Sequence, residues 1–442
     1  MIHSRLLLLI AMALLPFSGL VSQTTPRVTA VPVAPVPASF PVNFALHTVG
    51  KRQYVAFYDS AHQMTIGMRR LNSRKWQLQT LPSRVGWDSH NYLSLAVDDQ
   101  GLLHLSGNMH SSPLIYFRSS RPHDITSLQP LHAMTGHDEE VTTYPEFMHS
   151  PAGDLLFHYR YGRSGSGYEV YNRWNPDSLR WERLLDQPLT DGQGRMNAYM
   201  QGPVLGPDGF YHLIWVWRNT PDCSTNHTLS HARSRDLIHW ESIRGQAVSL
   251  PITLSQQQLH VDTTRAGGGL INIGIKIGFD SQKRLVIGYH KYDPQGNTQL
   301  FLARYENNQW MLRQITQWNY RWDFKGMGTI VNELLIDAPQ PAARPGQLTM
   351  GYHHFRWGDA QITVDEATLA PIDSGAITTP YPPHLDVVRS PFKGMLVHKV
   401  FDSGRPPKGH RYLLRWEALP PNRDRKPQGT LPQPGLLEVV KY

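Results

Sequence analysis

Cysteine is almost absent from this 442-residue chain, because Cys223 is its only example. A disulfide cannot form within one chain, so the folded state must depend on its core. Charged residues are also few, at 18% of the sequence against about 25% in typical soluble domains. Lys/Arg-rich runs, zinc-finger spacings and recognition-helix patterns are missing as well, which argues against a nucleic-acid partner.

Long apolar runs are missing beyond the first residues. Arg5 is followed by the apolar run 6–15 and then by small or polar residues as far as Ser22. This layout is typical of a secretory signal peptide, and the run is too short to span a bilayer. We therefore predict a signal peptide over residues 1–22, a protein that is secreted or periplasmic, and no membrane partner. A membrane anchor is the alternative.

The rest of the chain is predicted to contain one domain after a short linker. Pro, Val, Ala and Thr dominate residues 23–40, which predicts an extended linker without a core of its own. Residues 41–442 are predicted to form a single domain, because closed β-architectures can be this long. The 35 glycines and 34 prolines suit many short strands and tight turns. We expect the protein to be a monomer.

A pattern of two short strands joined by a tight turn recurs along the chain. In each copy an apolar strand ends in a turn that contains Asp or Gly, and an alternating strand follows. Asp and Gly supply the side-chain caps and positive φ angles that hairpin turns need. The four copies are at residues 96–105, 150–157, 206–213 and 278–286.

A strand with an arginine follows each hairpin, and a turn with a tryptophan usually comes next. The arginines step by 49, 55, 60 and 71 residues. A period near 50 with about four strands per unit is typical of a β-propeller. Five units fit between residues 45 and 315, and the remainder has room for two more. We therefore predict an all-β, seven-bladed β-propeller, with a pair of β-sandwiches or a β-helix as the alternatives. The residues are Arg69, Arg118, Arg173, Arg233 and Arg304, with Trp76, Trp181, Trp240 and Trp310.

The chain is basic, with 43 Lys and Arg against 35 Asp and Glu and a net charge of +8. A basic exported protein attracts anions, and outside the cytoplasm these include acidic glycans. We therefore expect an acidic polysaccharide as the partner.

Polar side chains gather at strand ends in the first four predicted units, where a propeller has the mouth of its central channel. Arginine binds both oxygens of a carboxylate with its planar fork. Histidine and tyrosine exchange protons, and preorganised positive charge stabilises developing negative charge. These side chains suit β-elimination at a uronate, where the C5 carboxylate is neutralised, the C5 proton is removed and O4 departs. The candidates are His90, Asn91, Asn108, His110, Tyr144, Arg160, Arg218 and His227.

Structural interpretations compete with these functional ones. Tyr144 before Pro145 suits a packed corner, and Arg160 has possible carboxylate partners elsewhere in the chain. Cys223, His227 and His231 are a weak signal for a structural metal, because one thiol and two imidazoles stand at loose spacing. We predict no required cofactor and no metal among the catalytic residues. A glycosidase normally needs two carboxylates flanking the bond, and no such pair is recognisable.

The ordered set of motifs resembles the BNR-repeat propellers, a group that contains the ulvan lyases of polysaccharide lyase family 25. The resemblance extends from about residue 44 to residue 322. It is carried by Trp87-Asp88-Ser89-His90-Asn91, Gly107-Asn108-Met109-His110, Thr143-Tyr144-Pro145, Phe157-His158-Tyr159-Arg160 and Thr225-Asn226-His227.

The resemblance implies a seven-bladed propeller and metal-independent elimination on ulvan or a similar glycan of rhamnose and glucuronate. It implies that His90, His110 and Tyr144 are catalytic, with Tyr144 transferring the proton at the bond. It also implies that Arg160 neutralises the carboxylate and that His227 contacts the substrate. We add Asn91, Asn108 and Arg218, which lie in the same strand ends, as predicted substrate-binding residues.

Two other functions use the same scaffold or the same charge. Related α-L-rhamnosidases remove rhamnose that caps glucuronate, with a histidine on the opposite face near the first strand. In our alignment that histidine falls at Val49, whereas this chain has His47 two residues earlier. The other alternative is a non-catalytic propeller that binds acidic glycans.

Overall fold

The computed structural model describes residues 28–442, which are almost entirely strands and loops. In this range the helical segments are short 3-10 turns, and no helix is long and apolar enough to cross a membrane. The predicted signal peptide lies outside the described residues. The 3-10 segments are Ile125–Ser127, Cys223–Thr225, Gln257–Leu259, Asn272–Gly274 and Pro383–Asp386.

The strands are short and follow one another closely along the chain. The first ten are β1 (Thr29–Val36), β2 (Ala45–Val49), β3 (Arg52–Tyr58), β4 (Gln63–Arg70), β5 (Gln77–Arg84), β6 (Leu93–Val97), β7 (Leu103–Gly107), β8 (His110–Ser112), β9 (Tyr116–Ser119) and β10 (Leu128–Leu131). The next ten are β11 (Thr142–His149), β12 (Leu155–Arg163), β13 (Ser166–Asn175), β14 (Arg180–Arg183), β15 (Asn197–Leu205), β16 (Tyr211–Arg218), β17 (Asn226–Ser234), β18 (Trp240–Glu241), β19 (Ala247–Val248) and β20 (His260–Asp262). The last twelve are β21 (Ile275–Phe279), β22 (Leu285–Tyr292), β23 (Thr298–Glu306), β24 (Gln309–Gln314), β25 (Leu334–Ile336), β26 (Gln340–Pro341), β27 (Gln347–His354), β28 (Gly358–Asp365), β29 (Pro371–Gly375), β30 (Leu396–Phe401), β31 (Tyr412–Ala418) and β32 (Gly435–Lys441).

Within residues 28–442 these strands form seven separate sheets, numbered here in chain order. Sheet 1 contains β2–β5, sheet 2 contains β6, β7, β9 and β10, sheet 3 contains β8 and β11–β14, sheet 4 contains β15–β20, sheet 5 contains β21–β24, sheet 6 contains β25–β29, and sheet 7 contains β30–β32 with β1. Neighbouring strands run antiparallel in each sheet. This pattern confirms the all-β class and excludes a parallel β-helix.

The predicted hairpins lie in four sheets, where they join β6 to β7, β11 to β12, β15 to β16 and β21 to β22. At the turn between β6 and β7, Asp98 accepts backbone N–H bonds from Gln100 at 3.0 Å and Leu102 at 2.7 Å. Asp280 does the same between β21 and β22. Gly153 and Gly209, in the other two turns, have φ angles of 98° and 81°. The local turn chemistry therefore locates these strand pairs correctly.

The arginine of each repeat lies on the third main strand of its sheet, as the spacing predicts. Arg304 on β23 is fully buried. It pairs with Glu306 at 2.7 Å, lies 3.4 Å from Asp280, and donates to the backbone oxygens of Glu366 and Ala367. These last two residues follow β28, so the guanidinium joins sheet 5 to sheet 6.

The core lies between successive sheets and not in one central mass. One apolar cluster joins sheets 2 and 3, a second joins sheets 3 and 4, and others join sheets 4 to 5 and 5 to 6. Sheet 1 shares its cluster with both sheet 2 and sheet 7, whose Trp416 and Leu414 are fully buried. The last sheet therefore packs against the first.

The predicted linker is corrected by the structure. Residues 29–36 form β1, which pairs with β32 along its whole length, and Val36 and Phe40 are buried in the core. β1 is an edge strand, where proline is tolerated because one side of the strand needs no ladder hydrogen bonds. Its composition therefore suggested an unpaired segment, although the strand is part of the folded domain.

Candidate active site

Two stacked imidazoles form the centre of the site. His90 lies in the loop between β5 and β6, and His110 begins β8; their ring centroids are 4.1 Å apart at 27°. Asp88 accepts a hydrogen bond from each ring. Its Oδ1 lies 2.8 Å from Nδ1 of His90, and its Oδ2 lies 2.6 Å from Nδ1 of His110. Among the described residues no hydrogen bond uses Nε2 of either ring, so both nitrogens are free to meet a substrate.

Asp88, His90 and His110 influence one another's charge. Burial, the largest influence on His90, lowers its pKa, but the interactions with Tyr144, Asp424 and Asp88 together raise that pKa well above the ordinary value. Burial in turn raises the pKa of Asp88, and the hydrogen bonds from His110 and His90 outweigh this and lower it well below its usual range. These directions favour the protonated form of His90 beside the Asp88 carboxylate.

Two distant loops complete the histidine environment. Asp424 lies in the loop between β31 and β32, and its Oδ2 is 3.4 Å from Nδ1 of His90. Thr329, in the loop between β24 and β25, places its hydroxyl 3.2 Å from the same nitrogen and donates its backbone N–H to Asp424 at 2.9 Å. Sequence analysis missed both residues, because nothing near them in the chain indicates that these loops reach His90 in the folded structure.

Asp88, His90, His110 and Asp424 also form the one group in residues 28–442 that could hold a metal ion. Each offers one ligand atom, and these atoms lie within 4.8 Å of one another. The short contacts of Asp88 fit imidazole N–H donors at both Nδ1 atoms, however, and a nitrogen that carries a proton cannot bind a metal.

Within residues 28–442, Cys223, His227 and His231 do not form a cluster with metal-ligand spacing. Cys223 is buried and free, and Nε2 of His231 contacts Nδ1 of His212 at 3.0 Å. His227 lies beside Asn219 at 2.8 Å and Thr228 at 3.0 Å. It has no hydrogen bond or ring contact with the other predicted site residues in the described range.

Tyr144 lies next to the histidines in a strained position. Its φ of 61° is unusual for a bulky residue, and the register of β11 shifts between Thr143 and Glu146. The ring centroid of Tyr144 is 6.1 Å from that of His90 and 6.4 Å from that of Tyr199. Strain of this kind is often found at functional sites, so the structure gives Tyr144 a position that fits the sequence prediction.

Two buried arginines lie beneath the tyrosines. Arg160 is fully buried, its Nη2 donates to Thr143 at 2.9 Å and its Nη1 to the Tyr199 hydroxyl at 3.3 Å, while Cζ lies 4.9 Å from the Tyr144 ring centroid. Arg218 is 8% exposed, and its Cζ lies 3.7 Å from the Tyr199 ring centroid. Phenol rings therefore cover both guanidiniums, and their predicted contacts with a substrate stay predictions.

Tyr199 is a site residue that sequence analysis missed. Burial raises its pKa, but the charges of Arg218 and Arg160 and a bond from Ser164 outweigh burial and leave the pKa below the ordinary value. Its position in the repeat could have identified it. Tyr144 is the third residue of β11 and Tyr199 is the third residue of β15, and each of these is the first long strand of its sheet.

A cavity of about 300 Å³ opens beside the two phenols. Tyr92, Tyr144 and Tyr199 line it together with Glu146, His158 and Glu169. Burial raises the pKa of Glu169 to about 7, with Glu146 adding to the rise and His158 and Arg160 opposing it. The cavity therefore combines proton-exchanging groups with positive charge behind them.

The two predicted asparagines hold the loops of the site. Asn108 has a φ of 62° and donates its side-chain amide to Ser83 at 2.8 Å and to the Arg84 carbonyl at 3.1 Å. The backbone oxygen of Asn91 accepts the Tyr58 hydroxyl at 2.6 Å, and its side-chain oxygen is buried. The Asn108 amide is therefore occupied within the loops, and the predicted substrate-binding roles of both asparagines stay predictions.

A second cavity, of about 270 Å³, lies at the opposite end of the sheets. It contains the turn between β6 and β7 and part of the loop between β30 and β31, whereas the first site uses strand ends on the other side. His47, His123, His149 and Arg405 line it. Burial, with smaller effects from His149 and Arg405, lowers the pKa of His47 to about 4.

A family model described as a BNR repeat-containing family member matches residues 52–318, more than half of the chain. The chain belongs to this BNR repeat-containing family, which confirms the resemblance found from its motifs. Among solved structures, it is similar to the polysaccharide lyase Uly1, with a TM-score of 0.59 and 13% identity over 91% of this chain and 90% of that one.

It is also similar to a PL25 ulvan lyase bound to -[GlcA(1-4)Rha3S]-, with a TM-score of 0.58 and 13% identity over 88% of this chain and 93% of that one. At this identity the likeness establishes a shared fold. A comparison with curated protein sequences finds no match.

Proposed function

We propose that this protein is an exported polysaccharide lyase that cleaves a glycan containing glucuronate and rhamnose by β-elimination. One observation carries the proposal: an imidazole pair held by one carboxylate adjoins two phenols that lie over buried guanidiniums. The similarity to polysaccharide lyases of the same fold supports it.

The reaction divides among these side chains. The His90 imidazolium donates from Nε2 to the C5 carboxylate beside the stacked His110 ring, so that negative charge moves onto the carboxylate. Tyr144, as the phenolate, takes the C5 proton. The C4=C5 double bond forms as the C4–O4 bond breaks, and the Tyr144 phenol returns its proton to O4. Arg160 and Tyr199 stabilise the phenolate from below.

We infer further that the seven sheets are the seven blades of a propeller. Apolar clusters that join sheets 1 to 6 in chain order, and sheet 7 to sheet 1, support this arrangement. β1 would then close the ring by completing the blade built from the C-terminal strands.

The direct test is ultraviolet absorbance during incubation with ulvan and, separately, with a rhamnose-capped arabinogalactan. Elimination produces a 4,5-unsaturated uronate, so the absorbance is expected to rise with one of these acidic glycans. A flat trace from correctly folded protein, across a panel of uronate polymers, would contradict lyase activity.

The second cavity supports a second candidate function, that of an α-L-rhamnosidase. His47 lies in this cavity with two other histidines and an arginine, at the end of the sheets that the related rhamnosidases use. The two functions separate by product and by variant. Free rhamnose that disappears with His47→Ala but persists with Tyr144→Phe would establish the hydrolase.

The pH profile gives a test of the buried cations. Replacing Arg218 with glutamine removes a positive charge 3.7 Å from the Tyr199 ring, and the pKa of Tyr199 should therefore rise. We expect the pH dependence of kcat/KM to shift to higher pH on its alkaline side. The control is Arg233→Gln. Arg233 lies on β17 in the same sheet as Arg218 and pairs with Glu241, and its replacement should leave the pH profile unchanged.

Metal removal tests whether Asp88, His90, His110 and Asp424 bind a metal ion that the activity needs. We expect dialysis against a chelator to leave activity unchanged, because both oxygens of Asp88 hold imidazole N–H groups. Loss of activity that is restored by one divalent cation, together with one bound equivalent in metal analysis, would show instead that the group is a metal site.

A further inference from the structure

An exposed aromatic patch lies in sheet 6, away from the catalytic side chains. Phe355 and Trp357, in the turn between β27 and β28, are 64% and 40% exposed. Trp318 and Tyr320, in the loop after β24, lie beside them: Trp318 and Trp357 have ring centroids 5.2 Å apart, and Tyr320 and Phe355 have theirs 5.4 Å apart. We call these four residues the aromatic patch.

The aromatic patch is supported by a buried residue beneath it. Beneath it His354 is 2% exposed, its ring centroid is 4.1 Å from that of Trp357, and its Nδ1 accepts the Arg356 backbone N–H at 3.0 Å. Soluble proteins rarely expose large clustered apolar surfaces unless the surface binds something. The two most exposed rings also lie beyond residues 52–318, the part that the family model matches.

The patch adjoins the active site through one short segment. The backbone N–H of Phe355 bonds the Glu333 carbonyl at 2.9 Å, and four residues earlier the Thr329 hydroxyl contacts His90 at 3.2 Å. Four residues span at most about 14 Å. The aromatic patch and the imidazole pair are therefore within reach of one extended polymer.

The surroundings of the patch contain cations among some acidic groups. Arg356 lies over the Trp357 ring at 5.8 Å, and the exposed Lys325 belongs to the same loop as Trp318. Arg423 donates to the carbonyls of Lys325 and Met327, next to Asp424 of the site. Asp323 offsets part of this charge, since it lies 3.8 Å from Lys325. Arg356 and Lys325 are positive charges that the anionic groups of a polymer can meet.

We propose that the aromatic patch is a distal subsite that stacks on a sugar ring of the same acidic glycan chain, a few units from the bond that is cut. The proposal rests on the lyase function for the direction of the chain, but the binding it describes does not require turnover. Flat aromatic rings cover the apolar C–H face of a sugar, while Arg356 and Lys325 meet its carboxylate or sulfate groups.

Binding to long and short glycans tests this subsite. The double change Phe355→Ala and Trp357→Ala is placed in a Tyr144→Phe background, so that the glycan is not consumed. Affinity electrophoresis is run in gels containing ulvan, and a tetrasaccharide of its repeat is titrated separately. We expect about tenfold weaker binding to the polymer, the size of one aromatic contact, and unchanged binding to the tetrasaccharide.

The control is Phe401→Ala, which removes an aromatic residue of 48% exposure on β30 and should leave polymer binding unchanged. Equal polymer binding by the double variant and its parent would overturn the subsite. So would a dimer in light scattering that the double variant dissociates, because the patch would then join two copies.

Failure of the two proposals is distinguishable. If the otherwise wild-type protein produces no unsaturated uronate, the lyase function fails while the binding comparison still decides on the patch. If elimination proceeds and the double variant without the Tyr144 change has an unaltered KM on the polymer, the patch fails alone.

Discussion

Tyr144→Phe is expected to lower kcat for elimination by about 10³-fold, the scale of a general acid–base group. The change removes only the hydroxyl that carries the proton, while the ring keeps its contacts with His90 and Arg160. Binding of a uronate tetrasaccharide should stay within about twofold, because the substrate carboxylate is held by the histidines. Initial rates of unsaturated product and calorimetric titration measure the two effects.

Tyr161→Phe is the matched control for this experiment. Tyr161 follows Arg160 on β12, and its hydroxyl bonds Glu140 at 3.3 Å, outside the cavity. Its loss should leave kcat unchanged. Retention of wild-type turnover by Tyr144→Phe would remove Tyr144 from the mechanism, and Tyr199 would then be the phenol to test.

Asp88→Asn is expected to lower kcat/KM by about 10²–10³-fold, although Asp88 itself need not touch the substrate. The carboxylate fixes both imidazoles through Nδ1 and holds the charge of His90. Without it the pKa of His90 falls, so the imidazolium persists only at lower pH. The residual activity should therefore have its optimum shifted toward acid, a change that simple misfolding would not produce.

Asp208→Asn provides the comparison, since Asp208 pairs with His212 at 3.1 Å in a turn of sheet 4. This variant should lose some thermal stability and keep the wild-type pH profile. An unshifted profile in Asp88→Asn, with normal thermal unfolding, would mean that Asp88 does not position the imidazoles.

Much of the fold could be predicted because its signals are local. The Asp98 and Asp280 turns are specified by side chains that cap backbone groups two to four residues away. The pairing of residues 29–36 with 435–441 has no local signal. Proline in that segment suggested a linker, since composition alone does not distinguish an unpaired segment from a protected edge strand.

The site, like the fold, could be predicted where its signals are local. His90, His110 and Tyr144 belong to short motifs at strand ends, and the structure brings them together. The position of a strand end does not reveal where a side chain points, so Asn108 turns toward Ser83 and Arg160 is covered by phenols. Asp424 and Thr329 arrive on loops far along the chain, and only the assembled fold identifies them.

The pairing of β1 with β32 also sets an order of events during synthesis. Among the strands of residues 28–442, β1 is made first and its partner at residues 435–441 is made last. At about 5–20 residues per second, the delay is on the order of tens of seconds. During this time Val36 and Phe40 lack part of the surface that buries them. The nascent chain therefore emerges with β1 still unpaired, and β1 is protected only after residues 435–441 have been made.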